Sequence, residues 1–236
     1  MVGTLYGVGV GPGAPDLITL RAFRLITAAP VIAYPAPDTG ESFARSIVGD
    51  MLHDGKIEVP IVIPMRTERY PAAEIYDRAS TEITTHLDVG RDCVVLCEGD
   101  PFFYGSYMYL HDRLADRYAC EIVPGIASPM ASAAALGLPL VSRNDVLTIV
   151  PAPSDDDALR AQITAADVTV IMKVGRHAKR VVELIAAMGL TDCAHYAERV
   201  TIEGAQFTCP LAKLGDRTVP YFSMIIVQRK TQRGDV

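Results

Sequence analysis

Cys93-Val94-Val95-Leu96-Cys97 is the segment that most narrows the fold: five apolar residues in a row with no polar alternation. A strand with one wet face alternates. A continuous apolar run of this length marks a strand buried on both faces, as in a parallel sheet covered by helices. An acidic turn follows at once, Glu98-Gly99-Asp100-Pro101, and then Phe102-Phe103-Tyr104-Gly105-Ser106. Open parallel sheets bind ligands beyond the carboxyl ends of their strands, so this turn is where such a sheet presents a site.

Strand-like and helix-like stretches alternate along the whole chain, which places it in the α/β class. Strands are expected at 5–10, 31–34, 57–63, 93–97 and 120–123, and again at 146–150, 168–172 and 221–227. Helices are expected at 17–28, 43–51, 71–88, 107–115, 129–135, 155–165 and 179–188. Pro60 puts the 57–63 strand at a sheet edge, because proline cannot donate to a ladder. Pro124-Gly125 divides an N-terminal α/β domain with a mostly parallel sheet, residues 1–124, from a C-terminal α/β domain with a mixed sheet, residues 125–236.

The chain has 236 residues, 50% hydrophobic and 21% charged, with a net charge of −6. That composition is globular. It has no basic stripe of the kind nucleic-acid binding needs, so no nucleic-acid partner is expected. No apolar run reaches the ~18 residues of a membrane span. The five cysteines form no C-x-x-C pair. Cys93 and Cys97, four apart on one strand, share a face and read as core thiols. The odd cysteine count and the lack of a signal peptide give a cytoplasmic expectation.

Gly9 to Ala14 satisfies G-x-G-x-x-A, the dinucleotide fingerprint. That reading needs the loop to run straight into a helix whose free amides meet a pyrophosphate. Pro12 and Pro15 remove two such amides, and Tyr34-Pro35-Ala36-Pro37 stands where a ribose-binding acid belongs. The alternatives are a tight turn using glycine's backbone freedom, or a loop packed closely on another adenine-containing ligand. A nicotinamide oxidoreductase remains the distant alternative.

Four motifs in order resemble the tetrapyrrole methylases: residues 7–19 (GVGVGPGAPDLIT), 98–106 (EGDPFFYGS), 123–128 (VPGIAS) and 172–175 (MKVG). The resemblance covers nearly the whole chain. It implies two α/β domains of the tetrapyrrole methylase type, with S-adenosyl-L-methionine in the cleft between them and S-adenosyl-L-homocysteine as product. It also implies a homodimer and a small tetrapyrrole substrate. Val31-Ile32-Ala33-Tyr34-Pro35, 171–176 (IMKVGR) and 220–224 (PYFSM) resemble the branch that methylates the C20 meso carbon of precorrin-2. A cobalt-loaded substrate, a different ring carbon and a non-catalytic tetrapyrrole carrier stay open. Ala14 departs from the polar residue common in the family's first loop.

By the same resemblance, Pro12, Glu98, Gly99, Asp100, Phe103, Ala127, Ser128, Lys173, Val174 and Ala197 would line the cofactor. Without it, Asp100 reads equally as a turn residue bonding its own backbone, and Ser128 as a helix N-cap before Pro129. Arg143, Arg176 and Arg66 (with Arg69 beside it) are candidates for the substrate carboxylates, which arginine grips bidentately; Tyr104 would pack on the substrate. No metal cluster, triad or paired carboxylates stand out, and no residue is assigned as catalytic acid or base. This suits transfer from a sulfonium, which chiefly needs alignment.

Overall fold

The strand 93–97 lies at the centre of a five-stranded sheet. The structure, a computed structural model, describes residues 2–64 and 72–229. It divides into two compact units, Met1–Ala127 and Ser128–Val236.

The first unit contains β1 (Leu5–Gly9), α1 (Leu20–Ala28), β2 (Val31–Pro37), α2 (Phe43–Ile47), β3 (Ile57–Ile63), α3 (Ala72–Leu87), β4 (Cys93–Cys97), α4 (Tyr107–Leu114) and β5 (Cys120–Val123). The sheet order is β3-β2-β4-β1-β5, and every pairing is parallel. The run of apolar residues in β4 is explained by cover on both faces. Cys93, Val95 and Cys97 pack with Ile83 and Leu87 of α3 and with Tyr107 and Leu110 of α4. Val94 and Leu96 pack on the other side with Ala22 and Ile26 of α1 and with Ala44 and Ile47 of α2. Burial pushes the Cys93 thiol up to about 12, as expected of an inert core cysteine.

β3 occupies the edge that Pro60 requires. β2 runs three residues beyond the expected Tyr34. Its ladder to β4 stops at Ala33, so Pro35 and Pro37 break nothing there, and the Pro35 carbonyl accepts from the Ser42 hydroxyl at 2.5 Å. α1 starts at Leu20, not at residue 17. Pro15–Leu17 forms a separate 3₁₀ turn, and the Thr19 hydroxyl caps α1 by accepting from the Ala22 amide at 3.2 Å. At its other end Lys56 donates to the Thr27 and Ala29 carbonyls at 2.9 and 2.7 Å, satisfying orphan acceptors of the last turn.

The second unit contains α5 (Ser128–Leu136), β6 (Leu147–Pro151), α6 (Asp156–Ala165), β7 (Val168–Met172), α7 (Ala178–Ala187), β8 (Ala194–Glu198), β9 (Phe207–Pro210) and β10 (Ser223–Gln228). The sheet order is β6-β7-β10-β8-β9; only β6 and β7 pair in parallel. β8 and β9 were not expected from sequence, and β10 starts two residues later than expected. Ile171, Tyr196 and Ile225 sit at the centre of this unit's core.

Candidate functional site

The carboxyl ends of β4, β1 and β5 are neighbours in the first sheet, and their loops interlock through three glycines. The loop after β1 pairs back to the loop after β4. The Gly99 amide donates to the Gly11 carbonyl at 2.8 Å, and the Gly11 amide to the Gly99 carbonyl at 3.3 Å. A Cβ on Gly9 would lie 2.5 Å from the Gly99 carbonyl oxygen and 2.6 Å from the Gly125 nitrogen. A Cβ on Gly125 would collide with the same Gly99 oxygen. Backbones approach this closely only where no side chain intervenes. Three of the four sequence motifs thus meet at one sheet end.

Asp100 fastens the arrangement. Its Oδ1 accepts from the Phe102 amide at 2.9 Å, an Asx turn, and its Oδ2 accepts from the Gly125 amide at 3.1 Å. Glu98, half-buried, is set against the start of α2. Burial pushes its carboxyl above the ordinary value, while its own backbone amide and that of Ala44 oppose the shift. Pro12 follows Gly11 and is half-buried beside this turn. Gly11 does not lead into a helix, because α1 waits until Leu20. The helix N-terminus that a pyrophosphate needs is therefore missing from this loop.

Beyond the turn, Phe103 is half-buried and Tyr104 is 44% exposed, their rings 5.2 Å apart and edge to face. Tyr104 has φ 55, a left-handed conformation that a bulky side chain rarely adopts. Tyr107 below is wholly buried; a Cβ on Gly7 would run into its ring. Ala127, half-buried, ends the first unit.

In the second unit, Ser128 begins α5 and is half-buried. Lys173 and Val174 follow β7, with Val174 wholly buried and Lys173 at φ 58. Ala197, on β8, is buried and paired with Met224. Arg176, exposed, lies near His177, whose pKa is lowered by burial and by the Arg176 and Arg180 charges. Arg143 does not join them. It precedes β6, whereas Lys173 and Arg176 follow the parallel β7, so about 13 Å of strand separates the two ends. Arg66 and Arg69 lie outside the described residues.

Sequence reasoning missed a polar cluster at the carboxyl end of β8. Glu198 is only 2% exposed and accepts from the Tyr196 hydroxyl and from Arg217, the latter at 2.5 Å. Arg217 also lies over the Phe207 ring at 4.0 Å. Arg199 follows at φ 46. The alternation of Tyr196 with Glu198 was the one available signal, and the partner 19 residues later was not legible.

Two α/β units, with glycine loops interlocked at strand ends in the first, put these motifs where open parallel sheets bind ligands. The chain belongs to the Tetrapyrrole (Corrin/Porphyrin) Methylases, whose family model matches residues 4–215. Relatives narrow the comparison. The chain is 38% identical over 234 residues to the Precorrin-2 C(20)-methyltransferase of a Sinorhizobium species, covering 96% of this chain and 95% of that one. It is 30% identical to the Cobalt-precorrin-2 C(20)-methyltransferase of Salmonella typhimurium, covering 98% of each. It is 41% identical to the Cobalamin biosynthesis protein CobIJ of Mycobacterium tuberculosis over 95% of this chain, but it spans only 46% of that protein's length. Among solved structures, the fold is similar to uroporphyrin-III C-methyltransferase from Thermus thermophilus complexed with S-adenyl homocysteine. That match has a TM-score of 0.68 and 22% identity, covering 96% of this chain and 98% of that one.

Proposed function

We propose that this protein is an S-adenosyl-L-methionine-dependent C-methyltransferase that methylates precorrin-2 at C20, giving precorrin-3A in cobalamin biosynthesis. The observation that carries the reading is the near-complete match to a relative named for that reaction. The interlocked Gly9, Gly99 and Gly125 loops support it, because they bring backbone and two carboxyl groups together at a strand end.

The residues fit the cofactor. A methionine sulfonium and its α-ammonium are cationic, and Glu98 and Asp100 supply acids at the end of β4. Each Asp100 oxygen accepts one backbone amide, leaving a second lone pair on each for a ligand donor. Pro12, Glu98, Gly99, Asp100, Phe103, Ala127, Ser128, Lys173, Val174 and Ala197 are the proposed cofactor residues. Val174 and Ala197, fully buried in the free protein, would act through backbone or packing.

When bound, S-adenosyl-L-methionine supplies a methyl group already activated by its thioether leaving group. The chain's task is then alignment, which alone lowers barriers substantially. The Asp100 clasp holds the turn in place, and Glu98 would offer its carboxyl to the cationic end of the cofactor. Arg176 and Tyr104 are proposed to meet the substrate.

The higher identity to the relative named for precorrin-2 than to the one named for cobalt-precorrin-2, 38% against 30%, favours a macrocycle without cobalt. We also propose a cytoplasmic homodimer, on the family resemblance and the five free thiols. The test is calorimetry with S-adenosyl-L-homocysteine and with NAD, followed by methyl transfer to precorrin-2. Micromolar binding of the first ligand with transfer is expected. NAD binding without adenosylhomocysteine binding overturns the reading, and tetrapyrrole binding without transfer makes the protein a carrier.

A further inference from the structure

The two segments 171–176 and 220–224 meet at one end of the second sheet, and a third segment that sequence reasoning missed joins them. β10 begins between β7 and β8, with Met224 opposite Met172 and Ser223 opposite Glu198. Just before it, the Phe222 carbonyl accepts from the Arg199 amide at 2.9 Å. The Ser223 hydroxyl accepts from the Gly175 amide at 3.2 Å and donates to the Pro220 carbonyl at 2.6 Å. Tyr221 and Phe222 are thereby held at the sheet end, 56% and 44% exposed, with their rings edge to face 5.4 Å apart.

Cationic residues follow the strands on both sides of β10. Lys173 follows β7 and Arg199 follows β8, two strand spacings or about 10 Å apart. Both have left-handed backbones, φ 58 and φ 46. Glycine would take either position without strain. Strain of this kind persists where the surroundings enforce it and clusters at ligand sites. The Arg199 side chain is exposed and has no polar partner among the described residues. The adjacent Glu198 does not quench it, because that carboxylate is turned inward to Tyr196 and Arg217. Arg176, on the loop after β7, adds a third cation.

We propose that Arg199 and Arg176, on the segments that flank Tyr221–Phe222 at this sheet end, seat the macrocycle: the guanidinium groups take its peripheral carboxylates and the rings lie against its apolar face. The inference rests on the precorrin-2 reading and assigns residues to it. A largely hydrocarbon macrocycle edged with carboxylates matches an exposed aromatic pair with arginines nearby, in apolar character and in charge. Arginine suits the task because its planar fork binds carboxylate bidentately. Aromatic rings present a large apolar face at low entropic cost.

The test uses the full chain under anaerobic conditions, with precorrin-2 binding followed by absorbance and S-adenosyl-L-homocysteine binding by calorimetry. Arg199→Ala and Arg199→Gly are expected to weaken precorrin-2 binding at least about tenfold and to leave adenosylhomocysteine affinity within about twofold. Arg199→Lys recovers part of the loss. Arg199→Gly keeps a thermal midpoint at or above wild type, since glycine accepts φ 46, which separates charge from folding. Unchanged precorrin-2 affinity in both variants, with the wild type methylating precorrin-2, overturns the seat and leaves the function standing. Equal loss of both ligands in a folded variant also overturns it. A wild-type chain that binds adenosylhomocysteine but no precorrin-2 overturns the substrate reading and the seat together.

Discussion

The Asp100 carboxylate accepts the Gly125 backbone amide at 3.1 Å, so a side chain after β4 ties down the loop after β5. The same carboxylate closes its own turn through the Phe102 amide. Asp100 is therefore a clasp between two strand ends whatever ligand it meets. Asp100→Ala should lower unfolding free energy by about 1–3 kcal/mol, the cost of leaving amides unsatisfied. Asp100→Asn, which keeps one acceptor oxygen, should lose less. Urea unfolding with adenosylhomocysteine calorimetry reads both effects. Loss of affinity without loss of stability would make Asp100 a ligand contact and not a clasp.

The glycine interlock gives a sharper contrast. Gly9→Ala places a Cβ 2.5 Å from the Gly99 carbonyl oxygen, where only backbone could yield. Overpacking of this kind costs about 1–3 kcal/mol and should displace the turn, so cofactor affinity falls as well. Gly49→Ala is the control. Nothing lies within 4 Å of its Cβ and its φ is not positive, so its stability should stay within about 0.5 kcal/mol. Equal effects from the two substitutions would dissolve the interlock.

Two glutamates of the first unit should respond to pH with opposite sign. Arg45, through Nε and Nη2 at 2.9 Å each, and the Tyr34 hydroxyl at 2.7 Å hold the Glu58 carboxyl below its ordinary 4.5. Its folded pKa is depressed, so its stabilisation is present above pH 4.5 and is lost as pH falls through the folded value. Glu58→Gln should thus be less stable than wild type at neutral pH, with the gap closing in acid. Burial raises the Glu98 carboxyl above the same ordinary 4.5. Its contribution is fully present below 4.5 and is lost as pH rises through the folded value. Glu98→Gln should be the more stable protein at neutral pH and the weaker cofactor binder. Chemical denaturation from pH 3 to 8 checks both slopes.

In the second unit, Arg217→Ala strands the buried Glu198 carboxylate, so the thermal midpoint should drop. The double variant with Glu198→Gln should recover much of that loss, because a neutral amide costs less to bury. Additive losses in the double variant would show that the pair does not act as one unit.

Local signals carried much of the first unit. The unbroken apolar run of β4 announced a strand covered on both faces, Pro60 announced an edge, and the glycine and acid turns announced the loops. What pairs with what was not legible. Nothing local links Asp100 to Gly125, and nothing places Arg143 at the opposite end of a sheet from Arg176. β8 was hidden because Glu198 looks like a surface residue until Tyr196 and Arg217 are seen to satisfy it. α1 began late because the Thr19 cap prevailed over the apolar pattern that starts at Leu17. The convergence of three glycine turns was a consequence of strand order, which no single motif contains.

The most direct test of the central claim is anaerobic incubation with precorrin-2 and S-adenosyl-L-methionine carrying a ¹³C-labelled methyl group, followed by ¹³C NMR of the product. The account predicts a single new labelled methyl on the C20 meso carbon. Label on any other ring carbon, or no label on the macrocycle while S-adenosyl-L-homocysteine still binds, would contradict it.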